Sequence, residues 1–156
     1  MGNDERHLED HRPQGDGDPL SRRAMRVASP LSAEEERVIH QVIGAAIAVH
    51  RALGPGFLET IYRKAMVIAL QKRSLPFECE RAIDVTYEGI PISGQRIDLI
   101  VGGLVVVELK AVSQLEAIHR AQLISYRRTT RLRAGLLLNF RVRVLTEGLR
   151  RVVLTQ

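Results

Sequence analysis

Apolar residues recur every three or four positions over residues 32–53, which predicts a first helix. Ser32 and Glu35 have the spacing of a capping box at its start, and Gly54-Pro55-Gly56 ends it. A second helix is predicted over residues 57–74, before Pro76. The predicted core positions of the first helix are Val38, Val42, Ala45, Val49 and Leu53. The predicted apolar face of the second helix comprises Leu58, Ile61, Ala65, Ile68 and Ala69.

Beyond residue 76 the apolar positions alternate or run together, which is typical of strands. Glu88-Gly89 and Gly102-Gly103 divide this part into three segments and predict an antiparallel meander. The segments cover residues 77–89, 90–101 and 104–112. A third helix is predicted over 115–130, a buried strand over 133–140 and an edge strand over 149–156. This order predicts an α/β fold with a mixed central sheet, a crossover helix and helices flanking the sheet.

Residues 1–30 are polar and lack an apolar period, which predicts a disordered N-terminal extension followed by a single domain over residues 31–156. The one cysteine, Cys79, excludes an internal disulfide and agrees with a reducing compartment. No run of about 18 apolar residues indicates a membrane span. We therefore expect a cytoplasmic protein without a membrane partner.

The net charge of +5 favours an anionic partner such as nucleic acid. Arginines are concentrated late in the chain, and their guanidinium groups suit phosphate. Aromatic residues make up only 4% of the chain. Contacts to the nucleic-acid backbone are therefore expected, in preference to stacking on bases.

Three charged residues, Asp98, Glu108 and Lys110, interrupt the apolar strands on either side of Gly102-Gly103. With a two-residue loop, Asp98 and Glu108 would lie on opposite faces of the sheet, because side chains alternate along a strand. A three-residue loop or a bulge brings all three charges to one face, so we predict one of these, with a glycine at positive φ. The other face would then be apolar, with Ile97, Leu99, Val101, Val105, Val107 and Leu109.

Charges in such an apolar setting destabilise the fold unless they are paired. Lys110 could form a structural ion pair with the carboxylates, or the group could be exposed at a sheet edge. Alternatively, a divalent cation such as Mg²⁺ could bind between Asp98 and Glu108, since hard cations prefer carboxylate and carbonyl oxygens. The residues alone leave these three alternatives open.

An Asp on one strand and Glu-x-Lys on the next resemble the PD-(D/E)XK nuclease superfamily. The segment Gly56-Phe57-Leu58-Glu59-Thr60-Ile61-Tyr62 is similar to the motif of one branch, the GxxExxY protein family. Together with "RIDLIV", "VVVELKAV", "HRAQLISY" and "GLLLNF", the resemblance covers roughly residues 38–153. It departs from the usual superfamily pattern at Ile97, where a proline commonly precedes the first Asp.

The resemblance implies a restriction endonuclease-like core and Mg²⁺-dependent (or Mn²⁺-dependent) hydrolysis of phosphodiester bonds in DNA. Asp98 and Glu108 would hold the metal, Lys110 would be the catalytic lysine, and Glu59 would be an additional catalytic acid. The carbonyl of Leu109 is a further candidate metal ligand, because it lies between two side chains of the charged face. From the residues alone, Glu59 could instead pair with Arg63 at i+4.

Supporting roles are implied for three more residues. Gln122 and Tyr126 match a Gln-x-x-x-Tyr pattern and share one helix face, from which they could bind a phosphate or a metal-bound water. Tyr62 is expected to pack or to orient Glu59. The candidate nucleic-acid contacts on and after the third helix are Arg120, Arg127, Arg128 and Arg131.

Three functions compete on this evidence. The chain could be a Mg²⁺-dependent DNA endonuclease, or a domain of the same fold that binds nucleic acid or protein without cutting. It could also be a scaffold in which the three charges only form an ion pair. A homodimer would serve to cut both strands of a duplex, and the sequence leaves the oligomeric state open.

Overall fold

The computed structural model describes residues 28–153. Within that range it contains the helices α1 (Ala33–Leu53), α2 (Glu59–Lys72) and α3 (Ala117–Thr130). The strands are β1 (Phe77–Tyr87), β2 (Ile90–Val101), β3 (Val105–Lys110), β4 (Ala134–Asn139) and β5 (Leu149–Val153). The predicted disordered extension lies outside the described residues, except for residues 28–30.

The five strands form one sheet in the order β1-β2-β3-β4-β5. The first three strands are an antiparallel meander, β4 pairs parallel to β3 through the α3 crossover, and β5 pairs antiparallel to β4. The predicted α/β architecture with a mixed sheet and flanking helices is therefore confirmed. In the described part of the chain, no helix has the length and apolar character needed to cross a membrane.

The start of α1 is held by the predicted capping box. The Ser32 hydroxyl accepts from the Glu35 amide at 3.2 Å, and the Glu35 carboxylate accepts from the Ser32 amide at 2.7 Å. The helix ends at Gly54, which has a φ of 70°. Glycine adopts this value without strain, whereas residues with a Cβ atom do not. As predicted, the core positions of α1 face the sheet. Leu53 is partly buried, and four positions are buried: Val38, Val42, Ala45 and Val49.

The predicted apolar face of α2 is wrong at Leu58, Ile61 and Ile68, whereas its other two members, Ala69 and Ala65, are buried and partly buried. Leu58 and Ile68 are 76% and 55% exposed, whereas the helix buries Tyr62, Met66, Ala69 and Leu70. The helix carries two apolar stripes at helical spacing, so periodicity alone does not choose between them. The buried stripe includes Tyr62, which stacks on Phe140 with ring centroids 4.5 Å apart.

The predicted three-residue loop between β2 and β3 is confirmed. Val101 pairs with Val105, which leaves residues 102–104 as the loop, and Gly102 and Gly103 have φ values of 63° and 64°. The sheet face under α1 and α2 is apolar as predicted at five positions: Leu99, Val101, Val105, Val107 and Leu109.

The prediction is wrong for Ile97, which packs with Ile100 and Val106 on the α3 side of the sheet. The ladder between β1 and β2 is irregular at this level, since Glu80, between the pairs Cys79↔Leu99 and Arg81↔Ile97, has a φ of 51°. Side chains therefore do not alternate strictly along β2 next to Asp98: Ile97 and Leu99, two residues apart, lie on opposite faces of the sheet.

Candidate active site

Strands β2 and β3 part at Asp98, and the Asp98 side chain takes over the hydrogen bonding. The ladder between them ends at Leu99↔Val107. The Asp98 Oδ2 atom then accepts from the Leu109 amide at 2.9 Å, and Oδ1 accepts from Arg63 Nη1 at 3.1 Å. These bonds fix the Asp98 carboxylate between the end of β3 and helix α2.

Arg63 was missed in the sequence as a site residue. Its guanidinium does not pair with Glu59, as the i+4 spacing allowed, but lies between Asp98 and Glu80, 3.5 Å from the Glu80 carboxylate. The Arg63 and Asp98 side chains are only 19% and 13% exposed, so the pair is well shielded from water. The sequence offered no signal for this pair, because the two residues are 35 positions apart.

Glu108 and Lys110 leave β3 on the same side and form a close ion pair. Lys110 Nζ lies 2.9 Å from Glu108 Oε1, while the buried Glu108 Oε2 atom has no hydrogen-bond partner within the described part of the chain. Burial, with a further contribution from the charge of Asp98, raises the pKa of Glu108 to about 7 against the opposing effect of Lys110. For Lys110, burial lowers the pKa, but the neighbouring carboxylates more than offset this and the pKa is raised.

The raised pKa of Glu108 predicts a pH dependence of stability in EDTA. The folded state holds this proton up to about pH 7, whereas an unperturbed glutamate releases it near 4.5. Raising the pH through this window should therefore remove stability, by about 1–3 kcal/mol. The Glu108→Gln variant lacks this titration, so it should gain stability relative to the wild type between about pH 5 and pH 8.

Urea denaturation at several pH values measures this difference. Glu78→Gln is the matched control, because that carboxylate is 53% exposed and, among residues 28–153, its ion pair is with the exposed Arg81. Parallel stability curves for the wild type and Glu108→Gln would contradict a buried, tightly held proton on Glu108.

Glu59, in the first turn of α2, faces the same group of charges. Burial raises its pKa and Asp98 adds to the shift, while Lys110, Arg63 and His119 act in the opposite direction. The structure thus brings Glu59, Asp98, Glu108 and Lys110 into one electrostatic neighbourhood. His119 also has a structural task, since its Nδ1 atom accepts from the Glu116 amide at 3.0 Å and caps α3.

Gln122 and Tyr126 extend this neighbourhood from α3. Gln122 Nε2 donates to the Tyr126 hydroxyl at 2.5 Å, and Gln95 Nε2 of β2 donates to the same oxygen. Burial raises the pKa of Tyr126, and the charge of Glu108 adds to the shift, so this hydroxyl faces the site. Gln95 was missed in the sequence, because its contact depends on how α3 packs across the sheet.

Tyr62 lies behind the site. Its hydroxyl donates to the Gly54 carbonyl at 2.5 Å and accepts from the Phe57 amide at 3.1 Å. The side chain is fully buried. Tyr62 therefore braces the loop that precedes Glu59, a packing role that agrees with its expected support of that residue.

The four predicted nucleic-acid contacts divide into two groups. Arg120, Arg128 and Arg131 are exposed. Arg127 is fully buried, donates to the Arg133 carbonyl, and has its pKa lowered to about 10 by burial. Its assignment as a phosphate contact is corrected, because its guanidinium has no access to the surface.

The oxygen atoms at this site suit a hard divalent cation. Among residues 28–153, no three His, Cys, Asp or Glu side chains form a ready metal cluster. Nevertheless, Asp98 and Glu108 supply carboxylate oxygens, and the orphaned Glu108 Oε2 is a buried acceptor that a cation would satisfy. Leu109 contributes its amide to Asp98, and its carbonyl stays a predicted ligand. The residues fit Mg²⁺ or Mn²⁺, with Arg63 and Lys110 balancing the same carboxylates in this structure.

Comparison with known proteins identifies the family. The family model of the PD-(D/E)XK nuclease superfamily matches residues 36–152. No curated protein and no solved structure matches the chain significantly. The narrower resemblance to the GxxExxY branch stays a prediction. Since the matched region covers most of the sequence and contains α2, β2, β3 and α3, which carry the site, the chain belongs to the PD-(D/E)XK nuclease superfamily.

Proposed function

We propose that the chain is a metal-dependent nuclease that hydrolyses phosphodiester bonds of DNA. The observation that carries the proposal is the neighbourhood where β2 and β3 separate: the Asp98 carboxylate, bound to the Leu109 amide, lies close enough to the Glu108–Lys110 ion pair to act on its charge. A buried, unpaired carboxylate oxygen at that point destabilises the fold, and a bound cation would compensate for it. A metal-binding function explains why a buried carboxylate oxygen of Glu108 has no partner within residues 28–153.

Asp98, Glu108 and the Leu109 carbonyl would hold the ion. When bound, Mg²⁺ or Mn²⁺ would supply Lewis-acid polarisation of the phosphoryl group. Arg63 orients the Asp98 carboxylate through the 3.1 Å contact, and the Leu109 amide fixes its second oxygen. The carboxylate therefore needs little rearrangement to bind an ion.

Lys110 and Tyr126 would act on the substrate directly. The Lys110 ammonium, held 2.9 Å from Glu108, can donate a hydrogen bond to a phosphoryl oxygen as negative charge develops there. The Tyr126 hydroxyl accepts from two glutamine amides, which leaves its own proton for a phosphate oxygen. Glu59 would orient the attacking water. The exposed Arg120, Arg128 and Arg131 would contact the DNA backbone.

A second candidate function is binding without cleavage. One observation favours it: Arg63 and Lys110 already neutralise the two carboxylates through contacts of 3.1 Å and 2.9 Å. In this alternative the charges are a structural network, and a nucleic acid or a protein would bind elsewhere on the surface.

A cleavage assay separates the two functions. Purified protein is incubated with plasmid DNA, linear duplex, single-stranded DNA and RNA, in Mg²⁺, in Mn²⁺ and in EDTA. We expect DNA products with either metal and none in EDTA. DNA binding without products under any condition would favour the second function, and cleavage that persists in EDTA would contradict the metal requirement.

A further inference from the structure

A pocket of about 610 Å³ lies directly beside the proposed active site. Its lining residues include Phe57 and Glu59, from the start of α2 and the loop before it, and Ala111 and Arg141, which follow β3 and β4. Glu59 belongs to the charged neighbourhood described above, and Ala111 directly follows Lys110. The pocket is therefore continuous with the site and has a volume suited to a small organic group.

Phe57 offers an aromatic surface in this pocket that is held in place from below. Its amide donates to the buried Tyr62 hydroxyl at 3.1 Å, and the two rings meet edge to face with centroids 6.3 Å apart. Even so, 49% of Phe57 stays exposed. A fixed, half-exposed aromatic ring beside a nuclease site is suited to stacking with a nucleic-acid base.

Arg141 provides the complementary charge. Its amide is anchored to the Asn139 side chain at 3.3 Å, just beyond the end of β4. The side chain is exposed and, within residues 28–153, the one hydrogen bond of Arg141 outside the regular elements is that of its amide, so its guanidinium has no partner there. An arginine in this state is ready to bind a phosphate through two parallel hydrogen bonds.

We propose that this pocket binds an unpaired nucleotide of the substrate strand, next to the phosphate that is cleaved. The base stacks on Phe57, and Arg141 binds the phosphate of that nucleotide. In a duplex both faces of a base are already stacked, so the pocket selects single-stranded or frayed DNA. This inference rests on the proposed nuclease function and adds the substrate class to it.

The surface beyond Pro55 indicates where the bound DNA strand continues. A second pocket, of about 430 Å³, shares Pro55 with the first and is lined by Arg51 and Arg143. Both arginines are exposed. The DNA strand would thus run from the proposed active site across the loop of residues 54–58. This path differs from the one expected from the sequence, in which arginines on and after α3 contact the nucleic acid.

Binding measurements in EDTA test this inference without cleavage. The probes are a fluorescein-labelled single strand, the matching duplex, and a single strand that contains 2-aminopurine. We expect Phe57→Ala to bind the single strand about tenfold more weakly and to lose the quenching of 2-aminopurine, while Phe57→Tyr keeps both. Arg141→Ala should lower the dependence of log affinity on log salt by about 0.7.

Two exposed residues away from the pocket serve as matched controls. Tyr87→Ala removes an aromatic side chain that is 66% exposed on the β1–β2 hairpin. Arg37→Ala removes an arginine that is 64% exposed on α1. Neither should change the affinity or the fluorescence.

The outcomes separate this inference from the proposed function. If Phe57→Ala binds and quenches like the wild type, the inference is overturned, even when the wild type cleaves DNA. If the wild type binds the single strand as described but cleaves no DNA substrate with Mg²⁺ or Mn²⁺, the pocket assignment stands and the nuclease proposal fails. A wild type that binds no single strand at all overturns the inference, whatever the cleavage assay shows.

Discussion

Replacing Asp98 with asparagine should lower the rate of metal-dependent DNA cleavage by about 10³-fold, the upper end of what removing one charge-stabilising group usually costs. The Asp98 carboxylate is the point where helix α2, through Arg63, meets the end of β3, through the Leu109 amide. Asparagine has nearly the same shape and can still accept from that amide. It removes the negative charge that the proposed cation requires.

The fold should survive this change, because only the contact with Arg63 is lost and Arg63 keeps Glu80 as a partner. Calorimetric titration with Mn²⁺ should show a loss of affinity, and a thermal melt should show a folded protein. Asp84→Asn is the matched control, since Asp84 is exposed on β1, and it should cleave like the wild type. Unchanged cleavage by Asp98→Asn would remove Asp98 from the site.

Lys110→Met, measured beside these variants, distinguishes binding from chemistry. Methionine keeps most of the length of the side chain but cannot donate to a phosphoryl oxygen. It also leaves Glu108 without its 2.9 Å partner, so the pocket becomes more negative. We therefore expect Lys110→Met to keep or increase its affinity for Mn²⁺ while its cleavage rate falls. A variant that simply loses the metal, such as Asp98→Asn, should instead lose both.

The register of the β2–β3 hairpin was predictable because one local rule decides it. Side chains alternate along strands, and only an odd loop lets Asp98 and Glu108 share the site while Leu99 and Val107 share the core. Gly102 and Gly103 provide that loop at positive φ. A two-residue turn would have exchanged the two faces of one strand. Because this rule involves only residues close together in the chain, the register can be predicted from the sequence.

The parts that could not be predicted depend on contacts across the fold. Helix α2 has two apolar stripes, and the choice of the one with Tyr62 follows from Phe140, far along the chain. Arg127 is buried because Gly135 on β4 leaves room for it; a Cβ atom there would lie 2.8 Å from Arg127 Cδ. Neither partner is indicated by local spacing.

Replacing Gly148 with alanine should destabilise the protein by about 3 kcal/mol, which corresponds to a fall of roughly 6–12 °C in Tm. A Cβ atom at Gly148 would lie 2.3 Å from the backbone oxygen of Asn139 and 3.1 Å from Val142. Backbone atoms at the end of a buried strand cannot move away without breaking the sheet. Overpacking against them is therefore more costly than a clash with a flexible side chain.

Gly44→Ala is the control for this substitution. Gly44 is exposed within α1, and a Cβ atom there meets nothing within 4 Å. Alanine forms helix better than glycine, so this variant should be more stable than the wild type by up to about 1 kcal/mol. Thermal melts of the three proteins measure the difference, and equal Tm values for Gly148→Ala and the wild type would contradict the tight contact.

The clash at Gly148 should also disturb the proposed active site. Asn139 pairs with Lys110 across the parallel strands, and its side chain holds both the amide and the carbonyl of Val112, at 3.0 Å and 2.8 Å. Pushing Asn139 away would release the segment that follows Lys110. At a temperature where Gly148→Ala is still folded, cleavage should therefore fall while Gly44→Ala stays active, because Asn139 positions the end of the strand that carries the proposed catalytic lysine, Lys110.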